Sequence, residues 1–277
     1  MKDKFQFWIK SADKEPGKGT GEYVKSIKEY KGLLKLKDWR KMLSNSYIEP
    51  FTVDGLKWNS VEHYYNASKF RSIRNPTDYE FYKTFSIESG SPWSLDPKKA
   101  EKAGNAGEIG DNGIIPDIFI EGVRVPKNVR IRSDFYKNNI DRKALTIALF
   151  AKFTQNNDLK NILLNTNDAE LWEYKGRGKE PELLVELMNV RNCIRLYDST
   201  DNLKNISRFN NNQVNKILMK KLGERQELFA GNKAYLNGMK ITIISKNILG
   251  RKISYEVQFD DTKKIKNFIR SDSIELL

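Results

Sequence analysis

Ser60-Val61-Glu62-His63-Tyr64-Tyr65-Asn66-Ala67-Ser68-Lys69-Phe70-Arg71 is the stretch that decides the main domain. As a helix it sets Glu62, Asn66 and Lys69 at i, i+4 and i+7. Seven residues turn about 700°, roughly 20° short of two full turns, so the three share a face. A carboxylate, an amide and an amine then stand in a row, bordered by Val61, Tyr64, Tyr65 and Phe70. A polar row ringed by aromatics is not a solvent face. Turned inward, Glu62 and Lys69 need partners or a ligand. The spacing also fits a purely structural network, with Glu62 capping its own helix and Lys69 reaching out to water. Asn59, three residues before Glu62, predicts the helix start.

Upstream, Phe51 to Trp58 reads as a β-hairpin turning at Asp54-Gly55, the strongest short hairpin signal. Before it, Ser44-Asn45 is the polar centre of Met42 to Tyr47. Downstream, Asp96-Pro97 opens a helix ending near Gly104, with Pro97 in the first turn where its missing N–H costs nothing. Asn139 to Thr154 is an amphipathic helix, Asn157 to Leu164 a short one, and Pro181 opens a last one through Leu196. Near the start, Pro16-Gly17-Lys18-Gly19-Thr20-Gly21 is Gly-rich with a lysine, but lacks the spacing and the strand-to-helix setting of a phosphate loop. From spacing alone it reads as a flexible loop.

The chain has 277 residues, 39% of them hydrophobic, which suits one large domain or a large one with a small one. It holds one Cys and one His, so a Cys/His zinc site is excluded by ligand count. A thiol nucleophile would have to pair Cys193 with His63; Cys193 reads instead as a small residue of the run Leu183 to Leu196. No apolar run approaches the ~20 residues that span a bilayer. Met1-Lys2-Asp3-Lys4 does not open a signal peptide, so a cytoplasmic location without membrane contact is expected.

Lys and Arg number 49 against 36 Asp and Glu, a formal charge of +13. Residues 1–200 carry +6 of it and residues 201–277 the other +7. Such an excess makes nucleic acid or a phosphate-bearing ligand a plausible partner, and solubility the plain alternative. Residues 199–228 read as an Asn-rich linker with a short basic helix at Val214 to Leu228. Residues 229–277 turn strand-like: Met239 to Ile244, Ile253 to Phe259, Ile265 to Ile269 and Ser273 to Leu277, with turns at Asn247 to Gly250 and Asp260-Asp261. The expected fold is therefore α+β and helix-rich over residues 1–198, followed by a small all-β barrel of the SH3 or Tudor kind.

The order of motifs resembles the NADAR (YbiA-like) family. It runs Leu43-Ser44-Asn45, Pro50 to Gly55, Trp58, Val61-Glu62-His63-Tyr64-Tyr65, then Lys69-Phe70. Asp96-Pro97 with Ala100 and Gly104 is similar to that family's central helix. Ala151 to Asn156 with Leu163 to Thr166, and Glu186 to Arg191, are similar to its second half. Phe5 to Glu22 resembles a viral and phage-like branch. The resemblance covers about residues 4–197 and leaves the last 80 or so outside.

The resemblance implies an N-glycosidase that needs no metal or redox cofactor. Some relatives cleave phosphoribosylamino-pyrimidine intermediates of riboflavin synthesis, and others remove ADP-ribose from guanine in nucleic acid. It assigns Glu62 as the essential carboxylate and Lys69 as a second catalytic group. Ser44, Asn45 and Trp58 match positions that line the pocket. His63 is a ligand contact or a core histidine. Phe135 falls near the family's stacking tryptophan. Lys18, in the branch-specific opening, is a further substrate-binding candidate. One departure stands out: Leu171 to Gly178 lacks the family's Asp-Trp pair and offers Arg177 as a fork for a pyrophosphate. The expected substrate is ADP-ribosylated nucleic acid, helped by the basic C-terminal region. The alternatives are a phosphoribosyl small molecule, or a non-catalytic ADP-ribose or NAD-binding module.

Overall fold

The structure is a computed structural model that describes residues 2–72, 75–106, 117–137, 139–198, 233–236, 239–249, 252–270 and 274–276. The chain divides into two compact units, Met1–Asn211 and Asn212–Leu277. The linker and basic helix expected over 199–228 lie outside the described residues.

The first unit opens with β1 (Lys4–Phe7), α1 (Lys31–Leu34) and α2 (Trp39–Leu43). The hairpin β2 (Phe51–Val53) and β3 (Leu56–Trp58) leads into α3 (Val61–Ser68). Its turn is the expected one: Asp54 and Gly55 both take positive φ, 56° and 78°, as a tight hairpin turn requires. Next come α4 (Pro76–Lys83), α5 (Pro92–Leu95), α6 (Pro97–Ala103), and the small hairpin β4 (Phe119–Ile120) and β5 (Val123–Arg124). Asp96 caps α6, its carboxylate accepting from the N–H groups of Lys98 and Lys99. Then follow α7 (Ile140–Gln155), α8 (Asn157–Asn165), β6 (Glu170–Glu173), β7 (Glu182–Leu183) and α9 (Val185–Asp198).

Helix α7 is the axis of the unit, packing on α3, α8 and α9. It buries Leu149, Phe150 and Phe153 completely. Beside it runs a three-stranded sheet of order β1-β6-β7, in which β1 pairs parallel with β6 and sets Phe7 opposite Glu173. The helix expected to start at Pro181 starts later. Glu182–Leu183 first pairs with β6, satisfying that strand's second edge, and α9 begins at Val185. Cys193 is buried in α9, as its helical setting predicts.

The second unit contains β8 (Lys233–Leu236), β9 (Met239–Leu249), β10 (Lys252–Phe259), β11 (Ile265–Arg270) and β12 (Ile274–Leu276). They form one antiparallel sheet of order β11-β10-β9-β8-β12. The all-β expectation holds, but the closed barrel does not: among the described residues β11 and β12 end as unpaired edges. The turn expected at Asn247 is also displaced. β9 stays extended to Leu249 because Asn247 and Ile248 continue the ladder opposite Ser254 and Ile253.

Candidate active site

The site grows from the turn that precedes the hairpin. The backbone carbonyl of Asn45 accepts the N–H of Glu62 at 3.2 Å, satisfying a donor of the first turn of α3. Asn59 does not cap the helix; its amide donates instead to the Ser94 carbonyl at 2.8 Å. Ser60 stands at the cap position with its hydroxyl turned to His63 Nδ1, 2.8 Å away.

The same turn grips a second carboxylate. Asn45 donates from its backbone N to Glu173 Oε1 at 3.4 Å and from Nδ2 to Oε2 at 3.2 Å. Lys175 Nζ donates to Glu173 Oε2 at 2.7 Å. Glu173 ends β6 and is only 6% exposed, on the buried register with Leu171. Asn45 Oδ1 is buried and has no hydrogen-bond partner among the described residues. Reversing the amide would set its oxygen against the Glu173 carboxylate, so the orphan acceptor is forced by its neighbour.

Glu62 is half-buried, and Asn66 Nδ2 donates to its Oε2 at 3.3 Å and to its backbone carbonyl at 2.9 Å. Gly104 makes room for this amide. A Cβ there would fall 2.2 Å from Asn66 Oδ1 and 2.8 Å from Asn66 Cβ, so α6 ends against α3 only without a side chain. Burial, then the nearby Glu173, then Glu101 push the Glu62 carboxyl up to about 7, against the pull of Lys175 and Lys69. Lys69 follows α3, is 5% exposed, and has its Nζ 3.5 Å from Asn105 Oδ1. The row Glu62, Asn66, Lys69 is thus turned inward, as its aromatic borders predict.

The other expected site residues are placed as follows. Asn45 joins Glu62, while its neighbour Ser44 is buried with its carbonyl accepting from Lys152. Trp58 has no exposed surface; its indole N–H donates to the Val53 carbonyl and its ring packs on Tyr64 and Tyr82, which makes it core. His63 is fully buried, its Nε2 has no partner among the described residues, and burial holds it down to about 4, so it is neutral at pH 7. Phe135 is also fully buried, edge-on to Tyr65, while its neighbour Tyr136 is 59% exposed. Arg177 is exposed in the loop between β6 and β7.

Lys18 is exposed, and its loop already holds an anion of its own. The N–H groups of Gly17 and Gly19 donate to Glu22 Oε2 at 3.1 and 3.0 Å. Arg40 adds a two-pronged pair, Nε to Oε1 and Nη2 to Oε2, both at 2.7 Å. The two side chains are 0% and 3% exposed, so the anion-binding donors of this loop are spent inside the protein.

Sequence reasoning missed Glu173 and Lys175. The signal was present: Leu171, Trp172 and Glu173 alternate in, out, in, which puts a charge on a core position of a strand. Among the described residues no cluster of His, Cys, Asp and Glu could hold a metal ion, and no helix is long and apolar enough to cross a membrane.

A family model described as the NADAR domain matches residues 34–178, just over half of the chain. Among solved structures, the chain is similar to the E. coli protein YbiA, determined by NMR. The two are 22% identical, the match covers 58% of this chain and 82% of that one, and the TM-score is 0.40. No curated protein matches the chain.

Proposed function

The chain belongs to the NADAR domain family, which is associated with N-glycosidase-type activity, and on that premise we propose that it removes ADP-ribose from guanine in nucleic acid. The observation that carries an enzymatic reading is Glu62, a half-buried carboxyl beside a second carboxylate and pushed up to about 7. A carboxyl raised to about 7 by burial and by the nearby Glu173 charge holds a proton near neutrality and can give it up, so it can serve as acid or base. That is what breaking an N-glycosidic bond needs. Positive charge builds on the ribose as the bond stretches, the base must be protonated as it leaves, and water must be activated. A non-catalytic binding module would have no use for a carboxyl raised by burial beside a second carboxylate.

Lys69 offers a second route to the same products. With the ribose ring open, C1 is an imine of the base nitrogen; the Lys69 amine adds to C1 to give an aminal, and the base nitrogen then leaves with the C–N electron pair and a proton from Glu62 as the C1=Nζ imine forms. Water then hydrolyses the imine and restores the lysine. Borohydride should trap a substrate adduct on Lys69 and Lys69→Arg should be inactive; an active Lys69→Arg with no adduct rules this route out. Support for a pyrophosphate-bearing substrate comes from Arg177 and Lys179, both exposed in the loop after β6.

The reading is tested by following released base from ADP-ribosylated DNA and, in parallel, from a phosphoribosylamino-pyrimidine. Release from the DNA is expected, with Glu62→Gln slower by about 10²–10⁴-fold while still folded. Release from the pyrimidine alone would reassign the substrate to a small molecule. Release from neither by abundant wild-type protein would overturn the enzymatic reading.

A further inference from the structure

Lys152, in the second half of α7, is 1% exposed, among the most deeply buried large side chains described. Its Nζ donates to the Ser44 carbonyl at 2.7 Å and otherwise faces the rings of Tyr47 and Phe153, 5.5 and 5.2 Å from their centres. An ammonium with three donors is poorly suited to such a place, and a methionine would fill the same volume without the desolvation cost. Packing therefore does not account for the amine.

The atom it holds does. The Ser44 carbonyl immediately precedes Asn45, and Asn45 is the residue on which both glutamates converge, Glu62 by its backbone N–H and Glu173 by its carboxylate. Its carbonyl accepts from Glu62 N, while its backbone N and side-chain amide donate to Glu173. Glu62 comes from α3 and Glu173 from β6, and one turn ties them together. On its other side that turn is fastened to α7 by the Lys152 amine; among the described residues the Ser44 carbonyl otherwise accepts only the local N–H of Tyr47, at 3.1 Å.

We propose that Lys152 is a positioning residue of the active site, fixing through the Ser44 carbonyl the turn that sets Glu62 and Glu173 side by side. The inference rests on the N-glycosidase reading of that pair. The charged groups facing it are few. Lys152 faces Glu173 from β6 and Glu49 from the segment before β2. Glu62 faces Glu173, Glu101 of α6, Lys175 and Lys69. Burial holds the Lys152 amine down to about 7 while Glu173 and Glu49 oppose it. An amine that gives up its proton near neutrality still donates to a carbonyl, so the link survives titration.

The test is Lys152→Met in the full-length chain, with its thermal melt, kinetics on ADP-ribosylated DNA and pH–rate profile. The expected result is a cooperative melt, kcat lower by about 10–100-fold and KM within about twofold, as for misplaced rather than missing groups. The limb of the kcat profile set by Glu62 should move to higher pH, because loss of a nearby cation favours the protonated Glu62 carboxyl. Asn45→Ala, which cuts the same chain one link further on, should move the limb the same way. A folded Lys152→Met with unchanged kcat and pH profile would overturn the proposal, as would an unchanged profile in Asn45→Ala. Should wild-type protein release no base from any substrate, the function reading fails separately. The carboxyl carbon-13 titration of Glu62, measured without substrate, then decides. A midpoint raised in Lys152→Met supports the positioning role, and an unmoved one refutes it.

Discussion

Glu22 and Glu62 are two acids of one unit with opposite surroundings. Glu22 is fully enclosed, and every lone-pair direction it turns inward meets a donor: the Arg40 guanidinium and the N–H groups of Gly17 and Gly19. Glu62 keeps a partly open face, receives one side-chain amide from Asn66, and sits beside a second carboxylate. The first arrangement neutralises a charge and holds a loop; the second leaves a charge in want of a proton or a substrate. A carboxylate kept against its own stability is the more informative of the two, because the fold alone gives no reason for it.

The comparison breaks most visibly at Glu22. Glu22→Gln should destabilise the chain by about 3–5 kcal/mol in denaturant melts, because Arg40 would be left buried without its counter-charge. A loss below about 1 kcal/mol would mean the loop does not depend on this pair. Gly104→Ala sharpens the other side. It forces the added methyl into Asn66 and should cost about 1–3 kcal/mol, with a fall in kcat as Asn66 releases Glu62. Unchanged kcat in the folded variant would show that the Asn66 amide does not steer Glu62. The smallest effect concerns the partner. If the +7 of residues 201–277 meets phosphates, affinity for unmodified DNA should fall steeply and log-linearly as salt rises. Salt-independent binding would exclude that contact.

What the sequence made legible follows the range of the forces involved. The hairpin at Asp54-Gly55 and the helices from Pro97, Asn139 and Asn157 are set by local turn chemistry, caps and periodicity and appear within a residue of expectation, while α3 starts one residue late and ends three short of Arg71. The parallel pairing of β1 with β6 joins Phe5 to Leu171, far apart in the chain, and nothing within Lys4–Phe7 announces it. The site divides the same way. Glu62, Asn66 and Lys69 share one helix and could be read from spacing, whereas Glu173 reaches them only through the sheet. Trp58 shows the opposite failure. A motif position was read as a pocket wall, yet its ring closes the core under α3. The Gly-rich loop misleads similarly, since its donors look free until Arg40 and Glu22 fold onto them.

The most direct test of the claim that Glu62 is held uncompensated is unfolding free energy against pH for wild type and Glu62→Gln. The Glu62 carboxyl is raised from an ordinary 4.5 to about 7, so the native state keeps a proton that the unfolded chain has lost. Wild-type stability relative to the variant should therefore fall as pH rises from 4.5 to 7 and level off above it. At pH 8 the variant should be the more stable by about 1–2 kcal/mol, after discounting for water's access to the half-buried group. A variant less stable than wild type at pH 8, or a difference that does not change between pH 5 and 8, would contradict the account.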